Sequence, residues 1–199
     1  MISGGQYGSV KNYLAVNVKL NDEDVEELKH LDTGIAHNPI SNLRLGCKIA
    51  DTTKYTRNNI NVALGTDGQG SGNNLDMFET MKIACLLQGG IHENEDRITS
   101  KEAIKMATIN GAKLLKLDDK VGSIEEGKKA DIIIVELEDT INQPINDIFS
   151  NIVYNAKGSN VVTTIVNGKI LMEDRKLNIN NEKKICEKCN GIIKRISKQ

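Results

Sequence analysis

The sequence predicts an α/β protein in which parallel strands alternate with helices, followed by a small β-subdomain and a terminal helix. Up to about residue 120, short buried-type runs alternate with amphipathic segments, the pattern of βαβ units. After Gly122, strand-like runs follow one another with turn residues between them. From Asn181 onward, apolar residues recur at helical spacing.

Three strands are predicted in the first half, at Tyr13–Lys19, Gly34–His37 and Asn61–Gly65. A helix is predicted between the first two strands, because Asn21 and Asp24 have the spacing of a capping box, which marks the start of a helix. Its apolar stripe is expected to consist of Val25, Leu28 and Leu31. After the second strand, Asn38-Pro39 discourages helix at that point.

Two polar stretches stand out, and one of them, residues 69–74, predicts a loop. Residues 51–59 have no clear period, and residues 69–74 are rich in Gly, Ser and Asn. A helix is predicted over Leu75–Leu87, and a capping box of Thr99 and Glu102 opens another. The buried face of the Leu75–Leu87 helix is expected to be made by Phe78, Met81 and Cys85.

The last part of the chain predicts strands at Ala130–Leu137, Ile152–Tyr154 and Val161–Val166. The dipeptide Asn167-Gly168 between two apolar runs is a strong hairpin signal. The terminal segment from Asn181 is basic and amphipathic; packing on the domain is favoured over a membrane-surface role. Its apolar positions are Ile185, Cys189, Ile192 and Ile196.

Composition limits the functions open to the chain. Its 199 residues carry a formal net charge of −1, so no global field attracts nucleic acid or an anionic membrane. Aromatic residues make up 3%, which disfavours binding of single strands by base stacking. The three histidines are His30, His37 and His92, and none forms a His-x-His pair. A histidine-built metal site therefore cannot be completed from these residues.

The cysteines indicate a reducing compartment, and the hydropathy pattern indicates neither a secretory signal nor a membrane span. Cys186 and Cys189 form a C-x-x-C without a second pair, so reduced thiols are favoured over a structural zinc site. The first nine residues are glycine-rich and polar, unlike a secretory signal. The aliphatic run at residues 132–135 is too short to cross a bilayer. We expect a soluble, cytoplasmic protein.

Two polar stretches follow predicted strands, at Ile35–Gly46 and Leu64–Asp76. In a (β/α)₈ barrel, the carboxyl ends of the strands form the rim where active sites are built. At this rim, the carboxylate of Asp67 is the candidate metal ligand or proton carrier. On spacing alone, a cap or turn role for this aspartate is the commoner alternative.

These stretches resemble the amidohydrolase superfamily, within it the methylthioadenosine/S-adenosylhomocysteine deaminases, 5′-deoxyadenosine deaminases and related chlorohydrolases. The resemblance continues through Glu102–Ala112, Gly122–Asp131 and Val162–Lys169. It implies that the chain is the C-terminal part of a metal-dependent (β/α)₈ TIM barrel. The implied domains are a partial barrel over residues 1–120, a small β-subdomain over 121–178 and a C-terminal helix over 179–199.

The resemblance also implies a reaction, hydrolytic removal of an amino group from an adenosine-type nucleoside. The cofactor would be a divalent metal ion, zinc or else iron or manganese. Asp67 matches the family's metal ligand and proton acceptor, and His37 would lie near the site. A histidine packed at a strand end is the equally weighted alternative for His37. Ser71 and Asn74 would shape the substrate loop or cap the following helix.

The departures from the family pattern matter equally. The family's His-x-His and His-x-x-Glu would lie upstream of Met1, and Val16 stands where the family has a further histidine. Residues 49–59 lose the family's Ala-Pro-Val and its helical character. His92 and Glu95 spell a His-x-x-Glu, but in a polar loop, where a chance match is favoured.

Two hypotheses follow. In the first, the chain is the C-terminal half of a deaminase and is inactive alone. In the second, it is a non-catalytic remnant acting as a binding or oligomerisation module, since a half-barrel has open sheet edges that favour association. The expected small-molecule partner is a nucleoside. Protein association is expected as a homo-oligomer or through the open half-barrel. No binding to nucleic acid or membrane is expected.

Overall fold

The computed structural model describes residues 13–15, 20–92, 96–179 and 181–197. Its first layer is a parallel sheet of strands β1 (Tyr13–Ala15), β2 (Gly34–His37) and β3 (Val62–Leu64), in that order. Ala15 lies opposite Ala36, and His37 lies opposite Leu64. The carboxyl ends of β2 and β3 therefore meet at one edge, as parallel pairing requires.

Seven helices accompany this sheet in the described part of the chain before the second sheet begins. Their bounds are α1 (Asp22–His30), α2 (Pro39–Arg44), α3 (Thr52–Arg57), α4 (Gln69–Gly72), α5 (Met77–Ile91), α6 (Ser100–Ala107) and α7 (Ile109–Leu114). Alternation of strands and helices over this region is confirmed. The β1 strand spans Tyr13–Ala15 of the predicted Tyr13–Lys19; residues 16–19 lie outside those described.

Both predicted capping boxes are confirmed. The Asn21 side chain accepts from the Asp24 amide at 2.8 Å, while the Asp24 carboxylate accepts from the Asn21 amide at 3.0 Å. Thr99 and Glu102 make the same reciprocal pair before α6. These side chains replace intrahelical partners that the first-turn amides lack.

The core lies between the parallel sheet and helices α5 and α6. Its centre contains Ile35 and Val62 of the sheet, together with the predicted Phe78, Met81 and Cys85 of α5; these five are 7% exposed or less. In α1 the apolar stripe is shorter than expected. Val25 and Leu28 are buried, but Leu31 is 57% exposed because the helix has already ended there.

Part of the predicted loop at residues 69–74 is in fact helical, residues 51–59 contain a helix although their sequence has no clear period, and Pro39 opens a helix as well. Pro39 stands at the first position of α2, where its missing amide costs nothing. In residues 51–59, α3 forms because the Asp51 carboxylate accepts from the Lys54 amide at 2.9 Å and Tyr55 is 1% exposed. Residues 69–72 form the single turn α4.

The predicted strand at Ile152–Tyr154 is also wrong. Helix α8 (Ile148–Ser150) runs into a π-helical turn at Asn151–Asn155. Asp147 starts this segment by accepting from the Ser150 amide at 3.0 Å, and Val153 packs fully buried in the core. A short apolar run can belong to a strand or to a helix, and here the hydrogen bond from the Ser150 amide to the Asp147 carboxylate stabilises the start of a helix.

The second sheet is antiparallel, and the predicted Val161–Val166 strand and hairpin are confirmed. Its order is β4 (Ile132–Val135), β5 (Val161–Val166), β6 (Lys169–Glu173) and β7 (Lys176–Leu177). A 3₁₀ turn at Gly158–Asn160 precedes β5. Asn167 and Gly168 have φ values of 50° and 76°, both positive, as a type I′ turn requires.

The terminal helix α9 (Glu182–Ile196) is exposed along its whole length. The expectation that it packs on the domain is therefore wrong for the residues that the structure describes. The helix itself matches its predicted start near Asn181. Among the helices described, none is long and apolar enough to span a bilayer.

Candidate active site

The candidate site lies where β2 and β3 end. His37 is the last residue of β2, and Asp67 follows β3 after Gly65 and Thr66. The Gly65 amide donates to the His37 carbonyl at 2.9 Å, which extends the pairing beyond the strands. Both stretches singled out from the sequence therefore reach the same sheet edge.

Asp67 is an exposed carboxylate held by two short hydrogen bonds. The Ser41 hydroxyl donates to Oδ2 at 2.7 Å, and the Gly68 amide donates to Oδ1 at 2.7 Å. The backbone of Asp67 is left-handed, with φ of 58°. Hydrogen bonds from Ser41, then Gly68, lower the pKa of Asp67, with Ser71 contributing less. The carboxylate is thus charged at neutral pH.

Ser41 is a member of this site that the sequence reasoning missed. It lies in α2, is 1% exposed, and reaches Asp67 across 26 positions of sequence. Arg44, one turn later in α2, donates to the Ser71 carbonyl at 3.2 Å and so joins α2 to α4. The only sequence signal for Ser41 was its place four residues after His37, just past a strand end.

Gly65 is required by a close approach at this edge. A Cβ atom at Gly65 would stand 2.3 Å from the Asn38 side-chain oxygen. Real Cβ atoms do not approach an oxygen so closely. The glycine therefore allows the chain that leaves β3 to pass beside the start of α2, where it delivers Asp67.

Ser71 and Asn74 are placed differently. Ser71 lies in α4 beside Asp67, and its amide donates to the Gly68 carbonyl at 3.0 Å. The Asn74 amide group donates to the Glu79 carboxylate, and its oxygen accepts from the Asp76 amide at 3.1 Å. Asn74 thus supports the start of α5, where Asp76 is the N-cap.

His37 is buried, with 2% of its surface exposed, and burial lowers its pKa to about 4. Its imidazole is therefore neutral at physiological pH. Within the described ranges, its Nε2 atom has no hydrogen-bond partner, and neither does the side-chain amide of Asn42. Unpaired buried polar atoms are uncommon in proteins, so this edge has unused hydrogen-bonding capacity.

These residues do not make up a metal site by themselves. In the part of the chain that the structure covers, no three His, Cys, Asp or Glu side chains come together in a way that could hold an ion. One carboxylate is fewer than the three protein ligands typical of a catalytic zinc. Val16 and Glu95 lie outside the described residues, while His92 pairs with Asp51 at 2.8 Å.

The fold and the site define an α/β protein with polar groups gathered at the carboxyl ends of parallel strands. The sequence pattern of the Amidohydrolase family matches residues 2–171, and the chain belongs to this family. The resemblance stated from the motifs is thereby confirmed.

Curated relatives are similar to this chain over most of its length. A 5-methylthioadenosine/S-adenosylhomocysteine deaminase of Acetivibrio thermocellus is 43% identical over 179 residues, covering 90% of this chain and 42% of the relative. A 5′-deoxyadenosine deaminase of Methanosarcina acetivorans is 42% identical, covering 85% of this chain and 39% of the relative. The chain thus spans about two fifths of the length of these relatives.

Solved structures show the same fold. A zinc-bound adenosine deaminase from Xanthomonas campestris superposes with a TM-score of 0.91 at 26% identity, covering 95% of this chain and 44% of the other. A zinc complex of the atrazine chlorohydrolase from Arthrobacter aurescens superposes with a TM-score of 0.82 at 26% identity, covering 91% and 40%. The described strands and helices therefore correspond to part of an amidohydrolase fold.

Proposed function

We propose that this chain is the aspartate-bearing part of a nucleoside deaminase, with residues 1–120 forming part of a (β/α)₈ barrel. The observation that carries the proposal is Asp67, charged and held by Ser41 at the carboxyl end of β3. The deaminases named above, about 43% identical, support the reaction class. The substrate would be S-adenosylhomocysteine, methylthioadenosine or 5′-deoxyadenosine.

In this reaction, water adds to the purine-type ring and the amino group leaves as ammonia. Asp67 is proposed to take up a proton from the attacking water, for which a fixed, charged carboxylate is suited. The buried, neutral His37 is proposed to lie beside the substrate and to offer its unpaired Nε2 atom. Ser71 and Asn74 are proposed to shape the loop that borders the substrate.

The metal ion belongs to the complete enzyme in this proposal. The described residues do not fit a metal site, and the remaining ligands are proposed to come from further polypeptide. Zinc is favoured by the zinc-bound neighbours, with iron or manganese as alternatives. The chain alone is accordingly proposed to be inactive, and the complete protein to work in the cytoplasm.

A second candidate function is a non-catalytic binding or oligomerisation module. It is favoured by apolar residues on the antiparallel sheet, where Ile133, Ile134 and Ile170 are 45–51% exposed. Ile133 and Ile134 are neighbours in β4 and point to opposite faces, so both faces of this sheet expose apolar side chains. Exposed apolar surface marks contact sites when it forms a patch. Under this alternative, the chain would associate with protein without any catalytic contribution from Asp67.

The test is a chimera in which the amino-terminal part of the Acetivibrio thermocellus deaminase precedes residues 13–199 of this chain. Ammonia release from each of the three nucleosides is measured with zinc present. We expect turnover, and we expect Asp67→Asn to lower it by about 100-fold or more. Thr66→Ser, a conservative change beside Asp67, serves as the matched control and retains activity.

Two results would contradict the deaminase proposal. One is a folded, zinc-loaded chimera that releases no ammonia from any of these nucleosides. The other is activity that is unchanged by Asp67→Asn. Circular dichroism and metal analysis of each variant separate these results from simple misfolding.

A further inference from the structure

Helix α9 presents an apolar seam that nothing covers in the described chain. Ile185, Cys189, Ile192 and Ile196 follow one another at intervals of four, three and four residues. This is the spacing of alternating core positions in a two-stranded coiled coil. Ile185 is 48% exposed and Ile196 is 62% exposed, so the seam is open to a partner.

Two thiols lie on or beside this seam. Cys186 and Cys189 are both exposed and free, and they are three residues apart in the helix. Side chains at this spacing are neighbours on a helix surface, with Cβ atoms about 5–6 Å apart. They can therefore bind one ion together, but they supply only two of the four ligands of a tetrahedral zinc site.

The charge of α9 opposes pairing of two such helices in the absence of a metal. Its cations outnumber its carboxylates: Lys183, Lys184, Lys188, Lys194 and Arg195 against Glu182 and Glu187. Two heptads of seam are also short for a stable coiled coil. A negatively charged group at the seam would offset the repulsion between the cationic side chains of the two helices.

We propose that two copies of this chain pair along α9 around one thiophilic divalent cation, zinc, held by Cys186 and Cys189 of each copy. A two-fold axis brings the same two thiols from both copies, which completes four ligands. Each thiol loses its proton to solvent on binding, and no oxidation occurs. Four thiolates and Zn²⁺ make a centre of net charge −2, which the surrounding lysines complement.

This site is separate from the Asp67 edge and does not depend on the proposed deaminase reaction. A dimer formed in this way is conditional on metal, because the apolar seam alone faces the repulsion of the lysines. The other possible occupant of the seam, a different protein segment, predicts no metal dependence. The measurement below distinguishes the two.

The experiment uses the full chain in a non-thiol reductant after removal of metal by a chelator. Cobalt(II) is titrated as the spectroscopic probe, followed by zinc, and the mass is measured by light scattering after gel filtration. We expect one ion per two chains, a thiolate-to-cobalt charge-transfer band, tetrahedral cobalt bands and a doubled mass. Excess chelator is expected to return the monomer.

Single variants Cys186→Ser and Cys189→Ser are each expected to abolish the band and the dimer. Cys47→Ser is the matched control, since Cys47 is also an exposed free thiol but lies outside α9. Circular dichroism of the serine variants checks that α9 is still helical. A monomer that binds one ion per chain would overturn the proposal, as would a dimer that persists in chelator or the absence of a thiolate band.

Discussion

At the scale of single residues, the candidate site depends on one buried hydroxyl. Ser41 is almost completely buried, whereas Asp67 is exposed, so the hydroxyl has a fixed position from which it orients the carboxylate. A hydrogen bond to the charged form of an acid lowers its pKa. Ser41 therefore orients Asp67 and lowers the pKa of its carboxyl group.

Ser41→Ala is expected to raise the pKa of Asp67 toward its ordinary value, because the leading cause of its lowering is removed. The pKa is measured from the ¹³C chemical shift of the carboxyl carbon across a pH titration of the metal-free chain. Ser71→Ala is the control and is expected to have a smaller effect, since Ser71 contributes less. Equal changes in the pKa of Asp67 in the two variants would show that the Ser41 hydroxyl is not the main cause of its lowering.

His37 makes the stability of the fold depend on pH. Its pKa is about 4 in the folded chain and about 6.5 when unfolded. Above about pH 6.5 both forms are neutral, so the full stability is present. As the pH falls toward about 4, the unfolded chain takes up a proton that the folded chain does not, and stability is lost.

We expect the free energy of unfolding to fall by about 2 kcal/mol from this group between about pH 7.5 and pH 5. The measurement is denaturant unfolding at both pH values for the parent chain and for His37→Asn. Subtracting the two removes the contribution of the carboxylates. If the variant has the same pH dependence as the parent, burial of a neutral His37 is not its cause.

At the scale of elements, the Asn38 side chain approaches Gly65 closely where β3 passes the start of α2. Gly65→Ala would place a methyl group on the Asn38 side-chain oxygen, so we expect a loss of about 1–3 kcal/mol in unfolding free energy. Gly70→Ala is the matched control, because no atom lies within 4 Å of a Cβ there.

Thermal and urea unfolding of the two alanine variants provide the comparison. Gly70→Ala is expected to be neutral or slightly stabilising, since alanine restricts the unfolded chain and favours helix in α4. A Gly65→Ala protein as stable as Gly70→Ala would mean that Asn38 moves aside freely, and that the close approach does not position Asp67.

Elements with a local signal were predicted well from the sequence. The capping boxes before α1 and α6 and the Asn167-Gly168 turn each depend on residues within a few positions of one another. The failures have a different origin. Ile152–Tyr154 is apolar enough for a strand, but the cap of Asp147 and the burial of Val153 against the core produce a helical turn.

At the scale of the whole molecule, the chain corresponds to part of a fold. It covers 44% of the zinc-bound adenosine deaminase with which it superposes. Its parallel sheet has three strands, and at the carboxyl ends of β2 and β3 the described residues offer one candidate ligand for a catalytic metal, Asp67. The decisive measurement is therefore whether further polypeptide that supplies the rest of the fold gives deaminase activity.

In the chimera described above, Val16→His is expected to raise turnover, because valine cannot polarise water or stabilise charge at a position where the sequence resemblance places a histidine. A gain of about 100-fold is the scale of one general acid–base group. Steady-state kinetics measure it, and Val16→Asn, polar but without an imidazole, is the control. An unchanged rate would indicate that the residue at this position takes no part in the reaction.

The sequence by itself determined the family, the order of the main elements and the candidate Asp67, because motifs and caps are encoded by residues close together in the chain. Only the tertiary structure decided that Ser41 holds Asp67, that His37 is buried and neutral, and that α9 is open. These properties depend on packing between segments such as α2 and the loop after β3, which are 26 residues apart at the Ser41–Asp67 contact. Burial and hydrogen bonding across such separations are properties of the folded chain, and no local pattern encodes them.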